Sequence, residues 1–377
     1  MKKLSTFTIG LIFLLGFSVG FKCHAQNLEN GTITVNTDLV TIWTQVTNRG
    51  DASPIRGLKI NDFRLREHGN PQQISLVLES QPLSVVILVD GMSCVRPSDI
   101  QFQRSLDALR QLGEDAEMAL MAWDSDVRLV QPMTRNQKLI AEQLEDRVSF
   151  FNFLNSSQIG TEEKVRPERS FARPGEAVYQ AARYLEKSAS HERRKIIIVI
   201  SSTSSTIYMA KTHFHKSTEV NELLGKSGIT VYALLENDGT KEVFGLSDKL
   251  NPIAIPKVMN DTQLRRAGGT LEVFVEQTGG QIYISKNKPW IRLSSLQANK
   301  AFGEEFDELF TQLTRLIRSS YTIGYYPENT NFDGKFRRIK LELSKSAKTK
   351  YGNVDIKTRE GYYAARPVLT PVSEKSK

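Results

Sequence analysis

Only two cysteines, Cys23 and Cys94, occur in 377 residues, too few for a disulfide framework. Histidine is sparse, five in all, which leaves little material for a histidine-rich metal centre. No Gly-x-Ser-x-Gly elbow frames a nucleophile. Thr278-Gly279-Gly280 lacks the further glycines and the ribose-binding acid of a dinucleotide loop, so it reads as a turn. The net charge of +8 is scattered among acids rather than gathered into a basic run interleaved with aromatics, which points away from nucleic acid.

A composition 40% apolar and 24% charged is that of a globular chain, long enough for more than one domain. Residues 1–25 read as a signal peptide. Lys2 and Lys3 precede the apolar run Thr8 to Val19, and Cys23-His24-Ala25 ends in a small residue before Gln26. An uncleaved anchor would want about 20 apolar residues. Lipid attachment through Cys23 would meet Lys22 where a small residue is wanted. Cleavage near Ala25 removes Lys2, Lys3 and Lys22, takes the charge from +8 to +5, and leaves Cys94 as the only cysteine.

Residues 26–81 carry short, β-branched-rich stretches: Ile33 to Val46, Leu58 to Phe63, Leu65 to Glu67 and Ile74 to Leu78. Asn48-Arg49-Gly50-Asp51 and His68-Gly69-Asn70-Pro71 punctuate them as turns. From residue 82 the pattern changes. Continuous apolar runs at Val85–Val89 and Ile196–Ile200, with Met118–Trp123 and Ile229–Leu235, are of strand length. They alternate with helical patterns at Pro97–Leu112, Asn136–Arg147, Glu176–Glu186 and Thr218–Lys226. That order predicts a mainly parallel, doubly wound α/β sheet over residues 82–319, with a short strand at Gln281–Ile284 and an amphipathic helix at Phe302–Ile317. Strands return in 320–366 at Tyr321–Tyr326, Arg337–Leu343 and Val354–Lys357, before a polar tail, 367–377. Neither flanking β piece alone would bury a secure core, so the two are expected to pair into one β-sandwich carrying the α/β unit as an insertion.

Ile60-Asn61-Asp62-Phe63-Arg64-Leu65-Arg66-Glu67 with Gly69, the strands Val86–Asp90 and Arg194–Ser201, the segment Val127–Thr134, and Thr278-Gly279-Gly280 occur along the chain. Tyr321-Thr322-Ile323-Gly324-Tyr325-Tyr326-Pro327, Arg338-Ile339 and Arg359-Glu360-Gly361-Tyr362-Tyr363 follow. In these residues the chain resembles the exported bacterial proteins of the von Willebrand factor A-related family of Acidobacteria type. The resemblance implies a von Willebrand factor A-like fold and an exported location.

In that fold a loop of the form Asp-x-Ser-x-Ser, a distant Thr and a second Asp hold Mg²⁺ or a similar cation through hard oxygen ligands. Here the loop reads Asp90-Gly91-Met92-Ser93-Cys94, and a thioether and a thiol stand where hydroxyls belong. Glu176, within Arg173-Pro174-Gly175-Glu176-Ala177-Val178-Tyr179, takes the Thr position, and Ser202 replaces the second Asp. The resemblance therefore implies a degenerate metal-ion-dependent adhesion site with no resident cofactor. Asp90 then acts as a helix cap or binds loop amides. The alternative is a Mg²⁺-type site rebuilt from Asp90, Glu176 and Ser202, serving a cation-dependent receptor or enzyme.

Other candidates have plainer readings beside the sharp ones. His213 and His215 could be ligands, but no partner is placed for them, so they read as surface residues. Cys94 is a reactive thiol or a small buried side chain, and Asp124 and Asp126 line the crevice or sit in a turn. The segment from Phe150 to Arg173, with Arg166, Arg169 and Phe171, is an interface or a flexible loop. With no complete catalytic constellation, the expected function is non-enzymatic: an exported protein–protein binding or scaffold module. It needs a protein partner, no nucleic acid, and no membrane beyond export.

Overall fold

The first four strands are β1 (Val40–Asn48), β2 (Phe63–Glu67), β3 (Asn70–Gln72) and β4 (Ile74–Glu79). In β2, Phe63, Leu65 and Glu67 point inward while Arg64 and Arg66 face solvent, the two-residue period of a half-buried strand. The computed structural model describes residues 39–90, 102–123, 126–145, 174–190, 192–202, 215–236, 271–285 and 296–364. Residues 1–25, expected to form a signal peptide, and residues Met92–Cys94 and Phe150–Arg173 lie outside them. Where an extended Leu58–Phe63 is expected, Ile60–Asp62 form a 3-10 turn. Asp62 accepts from the Lys59 amide at 2.8 Å, and this local bond replaces a strand ladder.

A six-stranded sheet follows, made of β5 (Leu83–Asp90), β6 (Glu117–Trp123), β7 (Val127–Thr134), β8 (Arg194–Ser202), β9 (Thr230–Glu236) and β10 (Ile282–Ile284). Its order is β10-β9-β8-β5-β6-β7, parallel except for β7. Val85, Ile87 and Val89 of β5 enter one core and Val86 and Leu88 the other, so both faces are covered and the strand reads as unbroken hydrophobicity. On one face lie α1 (Phe102–Arg110), α2 (Gln137–Glu145) and α6 (Leu296–Arg318). On the other lie α3 (Pro174–Ser188), α4 (Ser217–Ser227) and α5 (Leu271–Thr278). No helix among the described residues is long and apolar enough to cross a membrane.

The chain ends in β11 (Tyr321–Tyr325), β12 (Phe336–Leu343), α7 (Lys345–Tyr351), β13 (Val354–Thr358) and β14 (Gly361–Tyr363). These strands complete two antiparallel sheets with the first four, ordered β13-β1-β11-β4 and β14-β12-β2-β3. Ile42, Val46 and Ile323 of one sheet share a core with Phe63, Leu65, Ile339 and Leu341 of the other. Each sheet thus mixes strands from before and after the six-stranded sheet.

The two halves are held together by buried polar contacts. The Arg194 guanidinium lies 3.0 Å above the Trp43 ring of β1 and donates to the Ile317 carbonyl at 2.9 Å and to the Tyr232 hydroxyl at 2.8 Å. The Gln45 amide reaches the same hydroxyl at 2.6 Å. Gly279, in the left-handed region at φ 75°, caps α5 against the backbone of Arg359, where a Cβ would stand 2.4 Å from the Arg359 nitrogen. A Cβ on Gly280 would lie 1.8 Å from the Val231 carbonyl oxygen, so only glycine fits. Thr278-Gly279-Gly280 is a helix terminus, and the Thr278 hydroxyl closes it onto the Phe274 carbonyl at 2.7 Å.

Candidate functional site

In an open α/β sheet, ligands gather outside the carboxyl ends of the strands where the strand order reverses. Here that point lies between β5 and β8, and Asp90 is the last residue of β5. Pairing of Val89 with Ile200 brings Asp90 level with Ser201. Both lie on the side of the sheet that Leu88 and Val199 share. The Ser201 hydroxyl donates to Asp90 Oδ2 at 2.6 Å, and the two side chains are 0% and 2% exposed. The hydroxyl that meets Asp90 is therefore Ser201, one residue before the expected Ser202. The backbone of Ser202 pairs with Glu236.

Glu176 stands in the first turn of α3, and its carboxylate is already engaged. His215 Nδ1 lies 2.8 Å from Oε2, and the Gln180 amide donates to Oε1 at 2.8 Å. The imidazole is stacked on Tyr179, with ring centroids 3.5 Å apart and planes 15° from parallel. Burial pushes the Glu176 carboxyl up, but the bonds from His215 and Gln180 outweigh it and hold it below the ordinary range. The expectation that His215 lacks a carboxylate partner is thus overturned: a residue 39 positions away supplies it. His213 lies outside the described residues.

Both candidate carboxylates are taken up by donors within the protein. Among the described residues no three His, Cys, Asp or Glu side chains gather to hold a metal. Asp90 is bonded by Ser201 and Glu176 by His215. Ser93, Cys94 and Asp124 lie outside the described residues, while Asp126 accepts from the amide of its neighbour Val127 at 2.8 Å, as a turn residue does.

A second polar centre, which sequence reasoning does not single out, lies between the two antiparallel sheets. Glu67, 4% exposed, accepts from the hydroxyls of Tyr325 and Tyr362 and sits 3.6 Å from Arg337. Arg337 also donates to the carbonyls of Asn329 and Asn331. A third is Asp307 on α6, 4% exposed, with Arg104 at 3.5 Å. Burial, opposed by Arg104, pushes its carboxyl up to about 7. Its only sequence signal is an acid on the apolar stripe that runs through Phe306 and Phe310.

No protein-family model and no curated protein matches the sequence. Among solved structures, the chain is similar to the conserved hypothetical protein BatB from Bacteroides thetaiotaomicron. Identity is 16%, coverage is 60% of this chain and 98% of that one, and the TM-score is 0.32. It is similar to proximal thread matrix protein 1 from the mussel byssus, with a zinc-occupied MIDAS motif, at 11% identity over 64% and 50% of the two chains, TM-score 0.32. The vWF domain of the type V pili tip protein Mfa5 from Porphyromonas gingivalis matches at 13% identity over 33% and 39%, TM-score 0.23. Scores this low carry no argument, and the fold rests on the strand order described above.

Proposed function

We propose that the chain is an exported, non-enzymatic protein-binding or scaffold module. In this reading a von Willebrand factor A-like unit is inserted into a β-sandwich and carries a degenerate metal-ion-dependent adhesion site. The six-stranded order, with one antiparallel edge, supports the A-like unit. The mixing of early and late strands in both antiparallel sheets supports the insertion, and the leader up to Ala25 supports export.

The observation that carries the reading is the bond from Ser201 to Asp90. The one acid retained from the adhesion loop is buried and bonded within the protein. The positions beside it are a thioether and a thiol, which are poor donors to a hard cation. A partner is then bound by surface complementarity rather than through a bridging ion.

Calorimetry with Mg²⁺, Mn²⁺ and Ca²⁺ on wild type and Asp90→Ala tests this. No binding at millimolar ion is expected for either protein. Millimolar or tighter binding that disappears in Asp90→Ala would replace this reading with a cation-dependent receptor or enzyme.

A further inference from the structure

On the outer face of the β14-β12-β2-β3 sheet, at the foot of α7, lies an open groove of about 1090 Å³. That exceeds the roughly 300–1,000 Å³ of a small-molecule cleft. Arg64 and Arg66 of β2 line it with Lys345 and Lys348 of α7, all four exposed. Its two acids are Asp62, which accepts from the Lys59 amide at 2.8 Å, and Glu342, which pairs with Lys340 at 3.0 Å and feels Lys348 and Arg66 more weakly at longer range. Among the described residues no carboxylate lies within ion-pair distance of the four cations. Arg64 and Arg66 donate to main-chain carbonyls instead.

Arg64 is directly across from Glu342 in the antiparallel pair, an attractive placement, while two other cations are placed less favourably. Arg66 is directly across from Lys340 in the antiparallel pair, and like charges so placed repel. Lys345 opens α7 immediately after its N-cap Ser344, where helix amides favour negative charge.

We propose that this groove binds an extended acidic peptide segment of a partner protein, a proposal that rests on the protein-binding reading above. Arg64 and Arg66 are two residues apart on one strand, so their side chains repeat at roughly 7 Å. An extended peptide presents alternate carboxylates at that same repeat, with Lys345 and Lys348 placed to meet a further acid. The one aromatic side chain that lines the groove, Phe63, is 1% exposed and cannot stack on bases, which disfavours single-stranded nucleic acid. The concavity disfavours a flat lipid surface.

The test measures the full chain binding a fluorescein-labelled octaglutamate peptide by anisotropy at low salt. Arg66→Glu combined with Lys345→Glu is expected to weaken binding at least tenfold while the melting temperature holds or rises. The control Lys138→Glu with Lys187→Glu, equal in charge and placed on α2 and α3, should change binding less than twofold. No binding by wild type, equal weakening by both double variants, or tighter groove-dependent binding of phosphatidylglycerol vesicles or single-stranded DNA would each overturn the proposal. A partner protein that co-purifies equally with wild type and the groove variant removes the groove and leaves the binding-module reading standing. Octaglutamate binding that is groove-dependent, with no partner recovered, supports the groove and counts against that reading.

Discussion

Tyr325 and Tyr362, from strands of opposite sheets, donate to the same oxygen of Glu67, at 2.6 and 2.9 Å. Burial and the carboxylate both push the Tyr325 hydroxyl far above the usual phenol range, so it stays a donor at any working pH. Arg337 completes the cluster, 3.6 Å from the other oxygen of Glu67. The charged pair is thereby closed inside an otherwise apolar core.

Glu67→Ala leaves the Arg337 cation buried without its counter-charge, and removal of one partner of such a pair costs about 3–5 kcal/mol. Tyr362→Phe removes one bond to a charged group, about 1.5–3 kcal/mol. Urea titration should rank the two in that order. A Glu67→Ala protein as stable as wild type would mean that the cluster does not hold the sheets together.

Ser201→Ala deletes the hydroxyl bonded to Asp90 without changing the strand, and leaving a buried polar group short of a partner costs about 1–3 kcal/mol. The expected result is a lower urea midpoint with an unchanged slope. A change below ~0.5 kcal/mol would show that Asp90 is satisfied without Ser201.

The runs Val85–Val89 and Ile196–Ile200 are legible in the sequence because both faces of those strands are covered, which removes polar alternation. β7 is not legible as a strand. Pro132 interrupts it, the ladder with β6 shifts register there, and the Met133 amide turns to the Tyr184 hydroxyl at 2.8 Å. Leu271–Thr278 carries Val273, Phe274 and Val275, residues of no marked helix preference, and becomes α5 through burial of Leu271, Phe274 and Val275 against the sheet. At the candidate site, Asp90 and Glu176 are visible as acids at sheet-top positions. Their partners Ser201 and His215 are set by strand register and by a contact across 39 residues, which no local pattern encodes.

Arg194 has no carboxylate partner among its described contacts, and burial lowers it to about 10, so the Trp43 face and the Tyr232 hydroxyl are what stabilise its charge. Trp43→Ala removes the ring face and opens a cavity where β1 meets the parallel sheet. Large-to-small core substitution of Trp costs about 3–5 kcal/mol. Trp43→Phe keeps a ring and should recover about half of that loss. Calorimetry should show one transition for wild type. A Trp43→Ala protein with an unchanged melting temperature would dismiss the contact as a junction element.

Asp307 gives the stability a pH dependence of unusual sign for a carboxyl. Burial against the Phe306–Phe310 stripe raises its folded pKa to about 7, above the ordinary 3.8, despite Arg104 at 3.5 Å. Between those two values the folded state binds a proton that the unfolded state has released. The contribution of this residue to stability is therefore full below pH ~4 and falls as pH rises toward 7, by roughly 1–3 kcal/mol at one pKa unit per 1.4 kcal/mol with allowance for screening by Arg104. Asp307→Asn cannot ionise and should flatten this part of the profile, with its largest gain over wild type near pH 8. Urea midpoints at pH 4.5, 6 and 8 measure the difference between the two proteins. If it does not grow with pH, the carboxyl titrates normally and α6 holds it closer to water than its 4% exposure implies.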